Sequence, residues 1–432
     1  MNTLRARQNK TLLVFGAGST AFLGMPVNGK QAEILKKVKN DGSRLARLKA
    51  IILDLFGNDF GIGDVYNIVD SCIALGKSLT SKNKELVLAC DELRFARKEL
   101  IGAIFDEFRE KIEGRGKGDY ETLVDFYYRL AKDELTHKLS TCCDLEKREN
   151  FLASYVVASF NWDLYSILPL VEAHDRLNHD NPCRLSKKGI PEFRVYTDFN
   201  CECASSLGEG ENPWYPFTES VANVVNNDRY EASRRAMLVK AYFPHGLMNM
   251  YKCPGCGRHS LYMGEAGEKR LQLDAVNKGT GKEDVYVCPY CGSKIGRLDF
   301  EALAQSNFKV RSPYLEELRL AFYDELAQAD RIVFIGYSLP DDDIELRTIM
   351  KAYCQDAEIY VVALGKTPQQ SKFVEASSTN VPYDDGPDAD NACYFTVKRF
   401  KDAFKTNRLF FNLAGFPSSM NEILDLVRHK DA

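Results

Sequence analysis

The five residues Thr11–Phe15 (TLLVF) are β-branched or apolar throughout and run without a spacer into Gly16-Ala17-Gly18-Ser19. An unbroken apolar run of this length has the composition of a strand covered on both faces, which calls for a parallel sheet with helices above and below it. Glycines at 16 and 18 let the backbone turn sharply and lie close to something, because they carry no Cβ. The register Gly16 to Ala21 fits the G-x-G-x-x-G/A pattern that aims helix N-terminal N–H groups at a pyrophosphate. A tight strand-to-loop bend accounts for the same residues equally well, so the remainder of the chain has to decide.

Two more apolar runs end in polar residues. Tyr155 to Phe160 delivers Asn161-Trp162-Asp163, and RIVFI at 331–335 delivers Gly336-Tyr337-Ser338. Between and after them, SPYLEELRLAFYDELAQAD reads as an amphipathic helix, a helix is expected over 342–353, and EIYVVAL at 358–364 reads as a further strand. This alternation predicts a doubly wound, Rossmann-like α/β fold, with a parallel sheet that collects ligands outside the carboxyl ends of its strands. One crevice would gather Gly16, Gly18, Ser19, Asn161, Asp163, Gly336 and Ser338. Each also has a local explanation as a turn or cap residue, Asp163 above all, but the recurrence at three strand ends favours a shared site.

At 432 residues the chain exceeds the size of a single core, so several units are expected. The Rossmann-like part is assigned to 1–27, 149–240 and 299–370. Helical spacing near 30–54, 84–112 and 119–138, with Leu93, Ala96, Leu100, Ile101, Ile104 and Phe108 on one face, marks a helical insertion over 28–148. Its apolar faces suit either internal packing or an interface. The polar stretch from about 175 to 230 reads as a loop-rich insertion or lid, 241–298 as a zinc-knuckle module, and 371–432 as a C-terminal extension.

The module carries the most specific signal. Cys253, Cys256, Cys288 and Cys291 form two C-x2-C knuckles, YKCPGCG and YVCPYCG, whose thiolates suit a tetrahedral Zn²⁺. Four cysteines leave no open coordination position, so the zinc is expected to be structural; a redox role for the pairs is the weaker alternative. The remaining cysteines, Cys142, Cys143, Cys201 and Cys203 among them, read as ordinary reduced thiols. A formal charge of −4 argues against a surface that tracks nucleic acid throughout. No stretch of about eighteen apolar residues is present and no signal-peptide pattern precedes the first strand, so a cytoplasmic location without a membrane span is expected.

Between the crevice elements and the knuckles lies KAYFPHGLMNMYKC, which brings one of only six histidines, His245, beside a glycine. A lone histidine is more often structural than catalytic. In this order, however, the motifs resemble the sirtuin family, and within it the divergent prokaryotic branch found in antiphage defence proteins. GAGST with GMP resembles the GAG-S-x-x-x-G-[IM]-P nucleotide loop, here Gly16, Ala17, Gly18, Ser19, Gly24 and Pro26. SFNWD resembles TQN-x-D and the FNYD of the divergent branch, giving Asn161 and Asp163. PHG matches the catalytic His-Gly at His245, the knuckles match the small zinc module, and GYSLPDDD resembles the G-[TY]-S loop. The resemblance covers 11 to about 365 and leaves out the insertion and the last 60 residues. VNGK stands where deacylating sirtuins continue with Asp-Phe-Arg, and no channel for an acyl-lysine peptide is identifiable after GYSLPDDD.

The resemblance implies NAD as substrate and cleavage of its nicotinamide–ribose bond. The expected activity is an NAD glycohydrolase yielding ADP-ribose and nicotinamide. His245 would serve as general base or orient water and ribose hydroxyls, Asn161 would position ribose and water, and Asp163 would hold the nicotinamide pocket. Gly16, Ala17, Gly18, Ser19 and Pro26 would belong to the loop around the diphosphate, with Gly336 and Ser338 near the adenosine ribose. An NAD-dependent protein deacylase and a non-turning-over NAD or ADP-ribose binding module are the alternatives. Because NAD loss is toxic, regulation by assembly is expected, as a homo-oligomer or with an ATPase or nucleic-acid-handling partner in a defence complex.

Overall fold

The computed structural model describes residues 10–25, 28–113, 117–141, 151–163, 165, 168–180, 192–200, 202–204, 234–262, 286–288, 290–296, 299–302, 312–341, 343–365, 372–377 and 392–428. Pro26, Cys142, Cys143, Cys201, most of the expected 175–230 lid, and residues 263–285 between the two cysteine pairs lie outside the described residues.

The centre of the molecule is a nine-stranded sheet. Its strands are β1 (Thr11–Phe15), β2 (Phe151–Leu152), β3 (Tyr155–Ser159), β4 (Glu192–Asp198), β5 (Arg234–Tyr242), β6 (Arg331–Ile335), β7 (Glu358–Val362), β8 (Val374–Glu375) and β9 (Leu409–Asn412). The order is β8-β9-β7-β6-β1-β3-β5-β2, with β4 also paired to β5. All pairs are parallel except β8 with β9. The apolar runs occupy its middle: Leu12, Leu13 and Val14 of β1, Val156 to Ala158 of β3 and Ile332 to Ile335 of β6 are fully buried. From β1 the chain winds outward through β3 and β5 on one side, then returns to lay β6, β7 and β9 on the other. The direction reverses between β1 and β6, so that pair of strand ends is the topological switch point, where open α/β sheets hold ligands. Phe15 lies level with both Ile335 and Ser159, which brings the residues after all three strands to one rim.

Ten helices are described: α1 (Asn28–Lys37), α2 (Arg44–Phe56), α3 (Ile62–Ala74), α4 (Cys90–Glu113), α5 (Lys117–Thr141), α6 (Leu168–Asp180), α7 (Pro313–Ala327), α8 (Ile344–Tyr353), α9 (Ala392–Ala403) and α10 (Met420–Val427). The helical stretch expected near 30–54 is two helices. Gly42 adopts a left-handed φ of 75° and Ser43 caps α2 by accepting from the Ala46 N–H, so the chain restarts there. Ser312, followed by Pro313, caps α7 in the same manner. Helix α3 and the hairpin Leu79–Thr80/Val87–Leu88 were not anticipated within the insertion.

Three further differences from the sequence reading matter. The glycine loop opens two short 3₁₀ turns, Ala17–Ser19 and Ala21–Leu23, rather than an α-helix; Gly24, at φ 69°, ends the second. The polar 175–230 stretch contains β4, a full strand of the main sheet. Residues 371–432, read as an extension, supply β8 and β9 to that sheet, with β9 in parallel register against β7.

Beside the main sheet stands a four-stranded sheet in the order Phe300–Ala302, Gly246–Lys252, His259–Tyr262, Glu202–Ala204. It carries the first cysteine pair directly after Lys252, while Cys288 follows the short strand Tyr286–Val287.

Candidate active site

The two glycine loops of the switch point interlock backbone to backbone. The Gly16 N–H donates to the Ile335 carbonyl at 3.0 Å and the Gly18 N–H to the Gly336 carbonyl at 2.8 Å. A Cβ on Gly16 would lie 2.6 Å from the Tyr337 Cα, and one on Gly18 2.9 Å from the Gly336 carbonyl oxygen. The close approach that the glycines permit is therefore, in the first instance, to each other's loop.

Asn161 ties the third strand end into this loop. Its Nδ2 donates to the Gly16 carbonyl at 3.1 Å and reaches the Ser19 hydroxyl at 3.4 Å. The Ser19 Oγ and N–H also converge on the Gly16 carbonyl, at 2.7 and 2.8 Å. Ser19 is thus buried in the loop's own wiring, whereas Gly16, Ala17, Gly18, Asn161, Asp163, His245, Gly336 and Ser338 all line one cavity of about 710 Å³. That volume falls in the range of sites for small ligands and cofactors.

His245 reaches the cavity from the turn between β5 and the strand Gly246–Lys252. The Gly246 N–H closes that turn on the Phe243 carbonyl at 2.8 Å with a φ of 71°, a conformation that suits glycine. The imidazole stands edge-on to Phe160, centroids 4.7 Å apart, and its Nε2 lies 3.3 Å from the Asp343 Oδ1. Asp343 also accepts from the Tyr337 hydroxyl through Oδ2.

Residues that the sequence reading did not assign to the site complete the wall. They include Thr20 and Phe22 from the first loop, Gln31 from α1, Phe108 from α4, Asp343 before α8, Cys393 and Thr396 from α9, and Phe416 after β9. Asp343 carried the one visible signal, as part of PDDD; the others come from elements distant in sequence. Among the described lining residues none is Lys or Arg. Because the Gly16, Gly18, Ser19 and Gly336 N–H groups are committed to carbonyls within the sheet and its loops, an anionic ligand would be held by other backbone N–H groups of the strand-end loops, with Ala17 and Thr20 among the lining residues.

Asp163 is buried, accepting from the Thr20 hydroxyl at 3.3 Å and from the Tyr165 N–H at 3.0 Å. Burial pushes its carboxyl up to about 6 from 3.8, and those hydrogen bonds pull the other way. A folded-state value above the unfolded one means ionisation opposes folding. The cost is absent below pH 3.8, grows between pH 3.8 and 6, and is constant above. At 1.36 kcal/mol per pH unit it reaches about 3 kcal/mol. Asp163→Asn is therefore expected to raise the free energy of unfolding at pH 7.5 by up to that amount and to leave it little changed at pH 4. Denaturant melts at the two pH values check this; a difference independent of pH would contradict it.

The four module cysteines converge as the spacing predicted. Their Sγ atoms all lie within 4.8 Å of one another, with Cys253 to Cys291 at 3.5 Å and Cys256 to Cys288 at 3.7 Å. Zn–S bonds of about 2.3 Å in a tetrahedron require S···S edges of about 3.8 Å, so the donor set fits zinc. Both knuckles close alike, Gly257 N–H on the Cys253 carbonyl and Gly292 N–H on the Cys288 carbonyl, each 2.9 Å, with both glycines at positive φ. Zinc bound here would have four thiolate ligands from the chain, in a structural role.

No protein-family model matches the chain, and no curated protein matches it. Among solved structures it is similar to Sir2 sirtuins. A Sir2 homologue in complex with NAD matches at 12% identity and TM-score 0.35, over 97% of this chain and 90% of that one. A mutant Sir2 homologue with 2'-O-acetyl-ADP-ribose matches at 10% identity and TM-score 0.37, over 97% and 92%. A Sir2 protein bound to a propionylated peptide matches at 12% identity and TM-score 0.32, over 83% of each chain. Superposition at these TM-scores is loose.

Proposed function

We propose that the cavity binds NAD and hydrolyses its nicotinamide–ribose bond, releasing nicotinamide and ADP-ribose. The observation that carries this reading is the convergence of Gly16–Gly18, Asn161, Asp163 and His245 on one cavity at the switch point of the sheet. Cleaving a glycosidic bond to a cationic leaving group develops positive charge on the ribose carbon, so the protein's task is to orient one nucleophile and exclude bulk water. In this reading the Gly16–Gly18 backbone lies against the diphosphate, with the Ala17 N–H as donor, since those of Gly16, Gly18 and Ser19 are committed within the loops. With Asn161 Nδ2 committed to the loop, Oδ1 is the side-chain atom left to orient ribose or water. His245 takes the proton from the attacking water.

Water, rather than an acylated peptide, is favoured as nucleophile by α4. Phe105 packs on Trp162 and Phe300 with centroids 5.8 and 4.9 Å apart, and Phe108 lines the cavity beside them. Aromatic side chains of the insertion thus stand between the segment after β3 and the small sheet, against the cavity. Homo-oligomeric assembly that holds the site in check, and a role in antiphage defence, belong to this proposal through the motif resemblance. The test is NAD turnover without any acylated peptide: peptide-independent loss supports hydrolysis, whereas strict dependence on an acyl-lysine peptide would make the protein a deacylase.

A further inference from the structure

Asp343 occupies the N-cap position of α8, where an aspartate ordinarily accepts from the first helical N–H groups, yet its side chain makes no capping bond. Only 3% of that side chain is exposed. Oδ1 faces His245 Nε2 at 3.3 Å, and Oδ2 receives the Tyr337 hydroxyl. Burying a carboxylate is costly unless it is paired, and capping would have been the local way to satisfy this one. The loop that turns it inward is itself constrained: Gly336 and Leu339 both stand at positive φ, 62° and 50°, and the Asp343 N–H is held by the Pro340 carbonyl at 3.1 Å. Leu339 is not a glycine and is fully buried, so its left-handed conformation is strained backbone retained by its surroundings. Tyr337 in turn packs on Phe160, centroids 5.0 Å apart, and Phe160 stands edge-on to His245. Four side chains from three strand ends, the imidazole among them, thus close a ring.

From this geometry we propose that Asp343 is a positioning residue for His245: its carboxylate accepts the Nε2 proton, fixes the Nε2–H tautomer, and leaves Nδ1 as the basic nitrogen facing the reaction. The proposal deepens the NAD hydrolase reading and rests on it for the identity of the reaction, though not for the tautomer. A carboxylate behind an imidazole does two things in general acid–base chemistry. It holds the ring in one tautomer and orientation, and it stabilises the imidazolium formed when the opposite nitrogen takes a proton. In the hydrolytic step, water loses a proton to His245 Nδ1 as its oxygen bonds to the ribose carbon. The electron pair of the broken C–N bond leaves with nicotinamide, and the imidazolium later returns its proton to solvent. Asp343 touches neither water nor ribose in this scheme.

The test uses the full-length protein with ¹⁵N-labelled histidine, in which six imidazoles give a countable spectrum, and His245→Gln identifies the signal that belongs to His245. In the neutral ring the expected state is a protonated Nε2 and an unprotonated Nδ1 at His245. In Asp343→Asn that preference is mixed or reversed. Asn caps helices as well as Asp, so a merely structural capping role would be unaffected by this change. In parallel, kcat for NAD cleavage falls roughly 10²- to 10⁴-fold in Asp343→Asn, by analogy with loss of the tautomer-fixing carboxylate in hydrolytic triads, with KM within about threefold. Asp343→Glu restores part of the rate, and Tyr337→Phe gives a smaller loss in the same direction. A wild-type spectrum with the proton on Nδ1, or Asp343→Asn with unchanged kcat beside an inactive His245→Gln, overturns the proposal. If the wild type does not consume NAD, the hydrolase reading fails, and the tautomer spectrum still decides whether Asp343 sets His245.

Discussion

Replacing Gly336 with alanine is expected to weaken nucleotide binding at least about 100-fold and to lower the free energy of unfolding by roughly 2–5 kcal/mol. Two costs combine. Gly336 stands at φ 62°, which costs a residue with a Cβ about 1–2 kcal/mol. The added Cβ would also lie 2.1 Å from the Ser19 nitrogen and 2.3 Å from the Gly18 carbonyl carbon. Both neighbours are backbone, so no rotamer change relieves the contact, and the Gly16–Ser19 turn has to move away. That turn is the one wired to Asn161, and its Gly16, Ala17 and Gly18 line the cavity, so its displacement reshapes the wall against which a nucleotide would lie. Gly76→Ala is the control: Gly76 has φ 64° but no atom within 4 Å of its Cβ position, so it bears the conformational cost alone. Thermal melts and titration with ADP-ribose on both variants separate the effects. Equal losses in the two would show that crowding at the switch point contributes nothing.

Removing zinc from the four-cysteine module is expected to lower turnover more than tenfold while the main sheet stays folded. The strand Gly246–Lys252 runs without interruption from the His245 turn to Cys253, the first thiolate, and the Met248 N–H anchors it to the Trp162 carbonyl at 3.0 Å. Four clustered thiolates without a cation repel one another. Structural zinc sites bring about 10–16 kcal/mol of binding free energy to folding, measured in isolated finger peptides. Chelation, or Cys288→Ser at a buried ligand, should therefore loosen the small sheet and carry the imidazole out of register with Asn161. Expected are one zinc released per chain on thiol modification, a loss of turnover of more than tenfold, and a largely unchanged far-ultraviolet dichroism of the main sheet. A metal-free protein with full turnover would contradict the structural role.

The strand ends and the knuckles were legible in the sequence for a common reason. TLLVF, YVVAS and RIVFI are short apolar runs that only a doubly covered strand uses, and the C-x2-C-Gly pairs encode their own turns. What escaped the reading depends on partners far along the chain. EFRVYTD alternates polar and apolar residues, as an outer strand does, and looked like part of a polar loop until its pairing with Arg234–Tyr242 is seen. LFFN is too short to stand as a strand on pattern alone, and it joins the sheet because Glu358–Val362 offers an open edge. In the candidate site, PDDD contains three aspartates with nothing local to distinguish them; the loop that starts at Gly336 is what turns Asp343 toward His245. Phe108 reads only as one of the apolar residues on a helix face and Phe416 falls in the stretch read as an extension; only the tertiary fold brings them to the cavity.

The most direct test of the central claim is NAD consumption by the purified full-length protein without an acyl peptide, beside His245→Ala and Asn161→Ala. Nicotinamide and ADP-ribose are followed together. The account predicts their appearance in equal amounts in the wild type and a loss of at least about 100-fold in each variant. NAD that remains intact with the zinc-loaded protein under all tested assembly states, or turnover that survives both substitutions, would contradict it.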